Sequence, residues 1–234
     1  MTVAPILLEK ARGQVVHYAQ RLIPDGLSVG TSGNISARVD DLIAITPSRM
    51  DYEVMQPEDV CVVDLSGRVV DGRLAPSSEV PLHLALYRDA AIKGIVHTHP
   101  MFATAVSTIV TELPSIHYML ARLGGPIRVA PYATYGSWAL AANVAAAMED
   151  RSAVIMANHG AVTVGDSLAT AYSRSVTLEW VCRLYVEARR VGEPAILTAA
   201  QLEAAWARMS GRAEPEPTPD WAVIPSSASE GSGR

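Results

Sequence analysis

The stretch Gly94-Ile95-Val96-His97-Thr98-His99-Pro100 holds two histidines one residue apart at the end of a short apolar run. On a strand, residues two apart point to the same face, so His97 and His99 present two imidazoles side by side while Thr98 points away. The C-terminal edge of a strand is where α/β proteins place ligands. Two imidazoles on one face can seize a divalent metal, but two ligands rarely hold one. His159, in Asn158-His159-Gly160 after a second apolar run, is the obvious third, beside a glycine that lets other groups approach closely. Three neutral imidazoles leave a zinc ion an open coordination position, the pattern of a catalytic site.

Other stretches supply oxygen chemistry. Gly30-Thr31-Ser32-Gly33-Asn34-Ile35-Ser36 is too small and polar for core. Its glycines bring backbone N–H groups close to a ligand, which holds a phosphate or carboxylate without a strong positive field. Ile45-Thr46-Pro47-Ser48-Arg49 is another small polar strand end. Pro76-Ser77-Ser78-Glu79 opens a helix. Its serines cap free N–H groups or hold an anion, and the Glu79 carboxylate suits the dipole, a base or a metal ligand. Metal, anion pocket and carboxylate together suit proton abstraction next to a carbonyl, with metal-assisted hydrolysis as the rival.

The elements that must position these groups are legible from periodicity. Leu8, Ala11, Val15, Tyr18, Ala19 and Leu22 predict an amphipathic helix over 5–22. Short strands joined at Asp40-Asp41 and a hairpin turned at Ser66-Gly67 follow. Helices are predicted from Val80 to Tyr87, from Phe102 to Val110, from Trp138 to Met148, over 167–190 and over 199–209, with a short one begun by 114–120. Strands are predicted at 94–97, 127–130, 153–157 and 161–165. His17 and His83, both on helices, read as structural.

The chain has 234 residues, 49% hydrophobic and 18% charged, which is globular composition. A net charge of -5 argues against a nucleic-acid surface. No run of about 18 apolar residues offers a membrane span, and the N-terminus lacks the features of a signal peptide. Cys61 and Cys182 lie far apart in different contexts, so no disulfide framework is expected, and a cytoplasmic protein is the simplest account. Residues 1–212 are expected to form one catalytic domain and 213–234, rich in Pro, Ser and Gly, a flexible tail.

Taken in order, Gly-Thr-Ser-Gly-Asn-Ile-Ser (30–36), Ile-Thr-Pro-Ser (45–48), Ser-Ser-Glu (77–79), His-Thr-His (97–99), Ile-His-Tyr-Met (116–119), Ala-Pro-Tyr-Ala-Thr-Tyr-Gly (130–136) and Asn-His-Gly (158–160) resemble the class II aldolase/adducin family. The resemblance implies an α/β fold, a three-layer α/β/α sandwich around a mainly antiparallel sheet, assembled as a homotetramer with active sites between subunits. It implies one zinc ion per subunit, or another divalent metal, on His97, His99 and His159. Glu79 would be the catalytic acid/base that also touches the metal at rest. Gly33, Asn34, Ser48, Ser77 and Ser78 would bind the substrate phosphate. Tyr118 would reach in from a neighbouring subunit to handle the proton at the aldehyde oxygen.

Two departures stand out. Arg49 replaces the glycine common after the Thr-Pro-Ser step, where its guanidinium could bind phosphate or crowd the pocket. No tyrosine follows Tyr185 to serve as the family's tail tyrosine, although Trp221 is available. The implied reaction is reversible cleavage of a phosphorylated sugar, a ketose 1-phosphate, to dihydroxyacetone phosphate and an aldehyde. L-fuculose 1-phosphate, yielding L-lactaldehyde, leads. The alternatives are a sugar-phosphate 4-epimerase, a decarboxylase, a dehydratase, or a non-catalytic adducin-like interaction module.

Overall fold

A computed structural model describes residues 6–214 and residue 219. Trp221 and most of the segment 213–234 lie outside the described residues.

Nine strands form one sheet in the order β4-β3-β2-β1-β5-β9-β8-β7-β6. They are β1 (Asn34–Val39), β2 (Leu42–Ile45), β3 (Cys61–Asp64), β4 (Val69–Asp71), β5 (Gly94–Thr98), β6 (Glu112–Leu113), β7 (Ile127–Ala130), β8 (Ala153–Met156) and β9 (Gly160–Gly165). Every neighbouring pair is antiparallel except β7 and β8, which run parallel. The helices are α1 (Glu9–Ala19), α2 (Val80–Leu86), α3 (Met101–Ser107), α4 (Trp138–Met148), α5 (Leu168–Val191) and α6 (Ala199–Met209), with 3-10 turns at Pro57–Asp59 and Tyr118–Leu123.

Strand alternation sorts the core into two faces. Ile43, Ile45, Ile95, Val154, Met156, Val162 and Val164 point to α2 and α4, where Leu82, Leu86, Leu140 and Val144 meet them. Their neighbours in sequence point the other way. Ile35, Ala37, Ala44 and Val96 pack with Val15 and Ala19 of α1 and with Leu168 and Tyr172 of α5. Ala153, Ile155 and Ala161 pack on Val106 of α3 and on Leu178 and Val181 of α5. A period of two buried on both sides makes a three-layer α/β/α sandwich, as the resemblance implied.

Local chemistry marks the ends of these elements. Ser137 Oγ accepts from Leu140 N (3.1 Å) at the start of α4, and Ser167 Oγ accepts from Thr170 N (3.1 Å) at the start of α5. Arg12 of α1 is buried, and it donates to Val60 O (2.7 Å) and pairs with Asp71, pinning the helix to β3 and β4.

Three local expectations change. No serine side chain caps α2: Glu79 itself occupies the N-cap position, and Ser77 Oγ accepts the Glu79 N–H at 3.2 Å. The helix expected over 102–110 ends at Ser107. The short helix after Pro114 is a 3-10 turn, entered through His117, whose Nδ1 accepts from Met119 N, and ended by Gly124 at φ 96. Cys61 and Cys182 are buried free thiols. No helix among the described residues is long and apolar enough to cross a membrane.

Candidate metal centre and its pocket

Four elements converge beyond the end of β5. The strand carries His97 between Asn34 of β1 and Val162 of β9. His99 follows, with its N–H donated to Leu27 O at 3.0 Å. Here α3 begins, and the half-buried Glu179 carboxylate of α5 accepts from Phe102 N and Ala103 N, both at 2.9 Å. A carboxylate on a helix N-terminus complements its dipole, so this contact anchors the chain just after His99. His159 comes from the β8–β9 turn. Gly160 must be glycine there, because a Cβ would stand 2.2 Å from Thr98 O.

The geometry suits a divalent cation. One donor atom from each of Glu79, His97, His99 and His159 lies within 4.8 Å of the others. His97 Nδ1 donates to Ala161 O at 3.0 Å, which leaves its Nε2 lone pair facing the cluster. His97 Nε2 and His99 Nε2 stand 3.0 Å apart, near the about 3.3 Å that two nitrogens subtend at a tetrahedral zinc. Glu79 Oε2 lies 2.9 Å from His97 Nε2, while Oε1 lies 3.8 Å from His159 Nε2. Glu79 Oε1 is buried without a hydrogen-bond partner. A buried anionic oxygen left unpaired is costly, and a cation among these four donors would satisfy it.

The protonation states agree. Burial, with the neighbouring imidazoles, pushes His99 down to about 3 and His159 down to about 4, so both are neutral ligands at neutral pH. Burial also opposes charge on His97 and Glu79, but each is the other's partner. The carboxylate raises His97 above its ordinary value, and His97 with the Asn34 amide holds Glu79 well below the carboxylate range. In such an ion pair the proton rests on His97, and a metal ion bound by its Nε2 would take that proton's place.

A cavity of about 480 Å³ opens over this cluster, a size suited to a small metabolite. Gly33, Asn34, Ser48, Arg49, Ser77, Ser78, Glu79, His99 and His159 all line it. The walls are drawn together by backbone bonds from Ser48 N to Ala75 O (2.9 Å) and from Ser77 N to Thr46 O (3.1 Å). Gly33 sits at φ 81 with no room for a Cβ, which would lie 2.7 Å from His97 O, and Tyr52 OH donates to its carbonyl at 2.7 Å. Arg49 is exposed at φ 58, a left-handed conformation that favours glycine, and among the described residues it makes no ion pair.

Two site residues behave differently from the rest. Asn34 is buried, and its amide is engaged at both ends, donating to Glu79 Oε2 (2.9 Å) and accepting from His83 Nε2 (2.6 Å). Tyr118 is half exposed, stacks on His117 and does not line the cavity of its own chain. Sequence reasoning passed over Tyr52, Tyr132, Tyr135 and Asn158, which also line the cavity. The run Ala-Pro-Tyr-Ala-Thr-Tyr-Gly held a signal for the two exposed tyrosines, since Gly136 at φ 73 tucks against Ser78 O. Asn158 stood in the Asn-His-Gly run beside His159, whereas for Tyr52 no local signal existed.

The profile described as "Class II Aldolase and Adducin N-terminal domain" matches residues 13–186. The 5-deoxy-D-ribulose 1-phosphate aldolase of Bacillus thuringiensis serovar kurstaki is 37% identical over 201 residues, covering 85% of this chain and 94% of that protein. The L-fuculose phosphate aldolase of Escherichia coli (strain K12) is 34% identical over 187 residues, covering 79% of this chain and 86% of that one. Among solved structures, an L-fuculose 1-phosphate aldolase superposes with a TM-score of 0.84 at 36% identity, over 88% of this chain and 98% of its own. With its sheet order, its three histidines and one glutamate, and matches of this length, the chain belongs to the class II aldolase and adducin family and stands with that family's aldolases.

Proposed function

We propose that this protein is a zinc-dependent aldolase that reversibly cleaves a ketose 1-phosphate to dihydroxyacetone phosphate and a short aldehyde. Either L-fuculose 1-phosphate or a 5-deoxypentulose 1-phosphate would serve, in keeping with the relatives named above. The observation that carries the reading is the buried, unpartnered Glu79 Oε1 inside a three-histidine cluster, on the floor of a cavity walled by small polar residues.

A zinc ion held by His97, His99 and His159, with Glu79 beside it, would polarise the ketose carbonyl. In condensation Glu79 takes a proton from the carbon next to that carbonyl, and in cleavage it returns the proton to the same carbon after the carbon–carbon bond has broken. Asn34 keeps Oε2 in place through its N–H, so the proton is handled at a fixed position. Ser48, Ser77 and Ser78, the Gly33 backbone, the second Asn34 N–H and the Arg49 guanidinium offer donors to the phosphate. Tyr118, outside its own chain's cavity, would serve a neighbouring copy in a homotetramer and manage the proton on the aldehyde oxygen.

The deciding experiment measures dihydroxyacetone phosphate release by the zinc-loaded protein from a panel of ketose 1-phosphates, with and without chelator. Chelator-sensitive release supports the aldolase and ranks its aldehydes. No release from any member with zinc still bound overturns it.

A further inference from the structure

The Asn34 amide is itself held, and by groups the reaction does not touch. Glu79, His83 and Tyr87 recur every fourth residue along α2, from its N-cap to its C-cap, and so lie on one face. Opposite them, Asn34 and Ser36 of β1 point towards α2, because Ile35 and Ala37 point to the α1 layer. Four helical residues advance about 6 Å and two strand residues about 6.8 Å, so the two ladders stay in step. Asn34 falls between Glu79 and His83, and Ser36 between His83 and Tyr87.

The hydrogen bonds run in one direction. Asn34 Oδ1 only accepts, so His83 Nε2, 2.6 Å away, carries the hydrogen. His83 Nδ1 must then accept, and Ser36 Oγ donates to it at 2.6 Å. With its hydrogen committed, Ser36 Oγ accepts from Tyr87 OH at 2.8 Å. At the far end Asn34 Nδ2 donates to Glu79 Oε2 at 2.9 Å. Asn34, Ser36, His83 and Tyr87 are all buried, at 4%, 0%, 1% and 2% exposure, beside Leu82 and Leu86 in an otherwise apolar contact. Packing alone would be served by aliphatic side chains. Reversing any member would turn Asn34 Oδ1 towards the carboxylate, setting acceptor against anion.

We propose that Tyr87, Ser36, His83 and Asn34 form a one-way donor chain that positions the Glu79 carboxylate, with His83 locked as its Nε2–H tautomer. His83 is thus a positioning residue acting through Asn34. The inference rests on the reading of Glu79 as the acid/base, and the test separates the two.

Kinetics of dihydroxyacetone phosphate release are compared for the zinc-loaded parent, His83→Leu, His83→Gln and Glu79→Gln, with zinc content and thermal unfolding measured on each. His83→Leu is expected to lower kcat about 10–100-fold, with zinc content unchanged and KM moved far less than kcat. His83→Gln, whose amide N–H can stand where Nε2–H stood, is expected to recover most of the loss. Independently of activity, nitrogen-15 spectra of the parent protein should show His83 Nε2 as pyrrole-like and Nδ1 as pyridine-like. A parental kcat in His83→Leu, with Glu79→Gln inactive, overturns the chain alone. Full activity in Glu79→Gln sinks the acid/base reading instead. Equal losses in both His83 variants with KM and stability moved together would reduce the chain to a structural role and overturn it. An Nδ1–H tautomer or an imidazolium at His83 also overturns it, whether or not the leucine variant folds.

Discussion

Gly160→Ala tests how tightly the fold, and not the ligand chemistry, sets the metal centre. The added Cβ would stand 2.2 Å from Thr98 O, 3.2 Å from Thr98 C and 3.3 Å from His99 Cα, all backbone at the end of β5. An ordinary carbon–oxygen contact is about 3.3 Å, so about 1.1 Å must open between the strand that presents His97 and His99 and the turn that presents His159. No flexible side chain can yield instead. Overpacking costs about 1–3 kcal/mol, and the upper end applies where backbone meets backbone. At about 2–4 °C per kcal/mol for a chain of this size, the metal-free protein should melt about 6–12 °C lower. Disturbing the groups that orient metal ligands costs about 10–100-fold in affinity, so zinc affinity, read by competition with a chromogenic chelator, should fall within that range. Gly13→Ala is the control, since it lies inside α1 with nothing within 4 Å of its Cβ and should hold or raise Tm. Parental Tm and zinc affinity in Gly160→Ala would refute the argument that this contact is rigid.

Arg49→Gly should relieve a left-handed residue, worth about 1–2 kcal/mol, yet remove a cation from the proposed phosphate pocket. We expect Tm to rise while KM for the phosphorylated ketose climbs about tenfold or more; an unchanged KM would deny the guanidinium the proposed phosphate role. His83, pushed by burial to about 3, joins His99 at about 3 and His159 at about 4, all below the ordinary 6.5. Between those values the unfolded chain binds three more protons at these sites than the folded one, so metal-free stability should fall as pH drops from about 6.5 towards 4. His97, raised, contributes in the opposite sense, present below 6.5 and fading as pH rises through its folded value, while Glu79, lowered, keeps its full contribution above its ordinary 4.5 and loses it progressively as pH falls from there to its own depressed value. Urea midpoints of the metal-free protein check this, and a flat profile would count against the buried neutral imidazoles. Coexpressed Glu79→Gln and Tyr118→Phe, each inactive alone, should regain a fraction of parental activity if Tyr118 serves a neighbouring copy. Mixed oligomers without activity would remove it from that role.

His97 and His99 could be paired from sequence because a strand repeats every two residues, and the spacing alone puts both rings on one face. The helices and most strands were equally legible, since alternation and helical periodicity are local properties of burial. The small polar loops around Gly33, Ser48 and Ser77 announced themselves by composition, and the motifs in their order carried the family. None of this places His159 beside His97. That is decided by β9 pairing with β5 and by the absence of a Cβ at Gly160, 63 residues after His97 in sequence. Serines at 77 and 78 looked like caps for α2, but the turn instead lends Glu79 to the N-cap and sends its carboxylate inward. The hydrogen bonds of His83 to Ser36 and Asn34 depend on the register between α2 and β1, which no local pattern encodes. The same holds for Glu179, which anchors the chain after His99 from a helix late in the sequence. Periodicity follows from the geometry of one element and is written in consecutive residues. The site depends on how separate elements are registered against one another, and that exists only once the sheet and its two helical layers have closed.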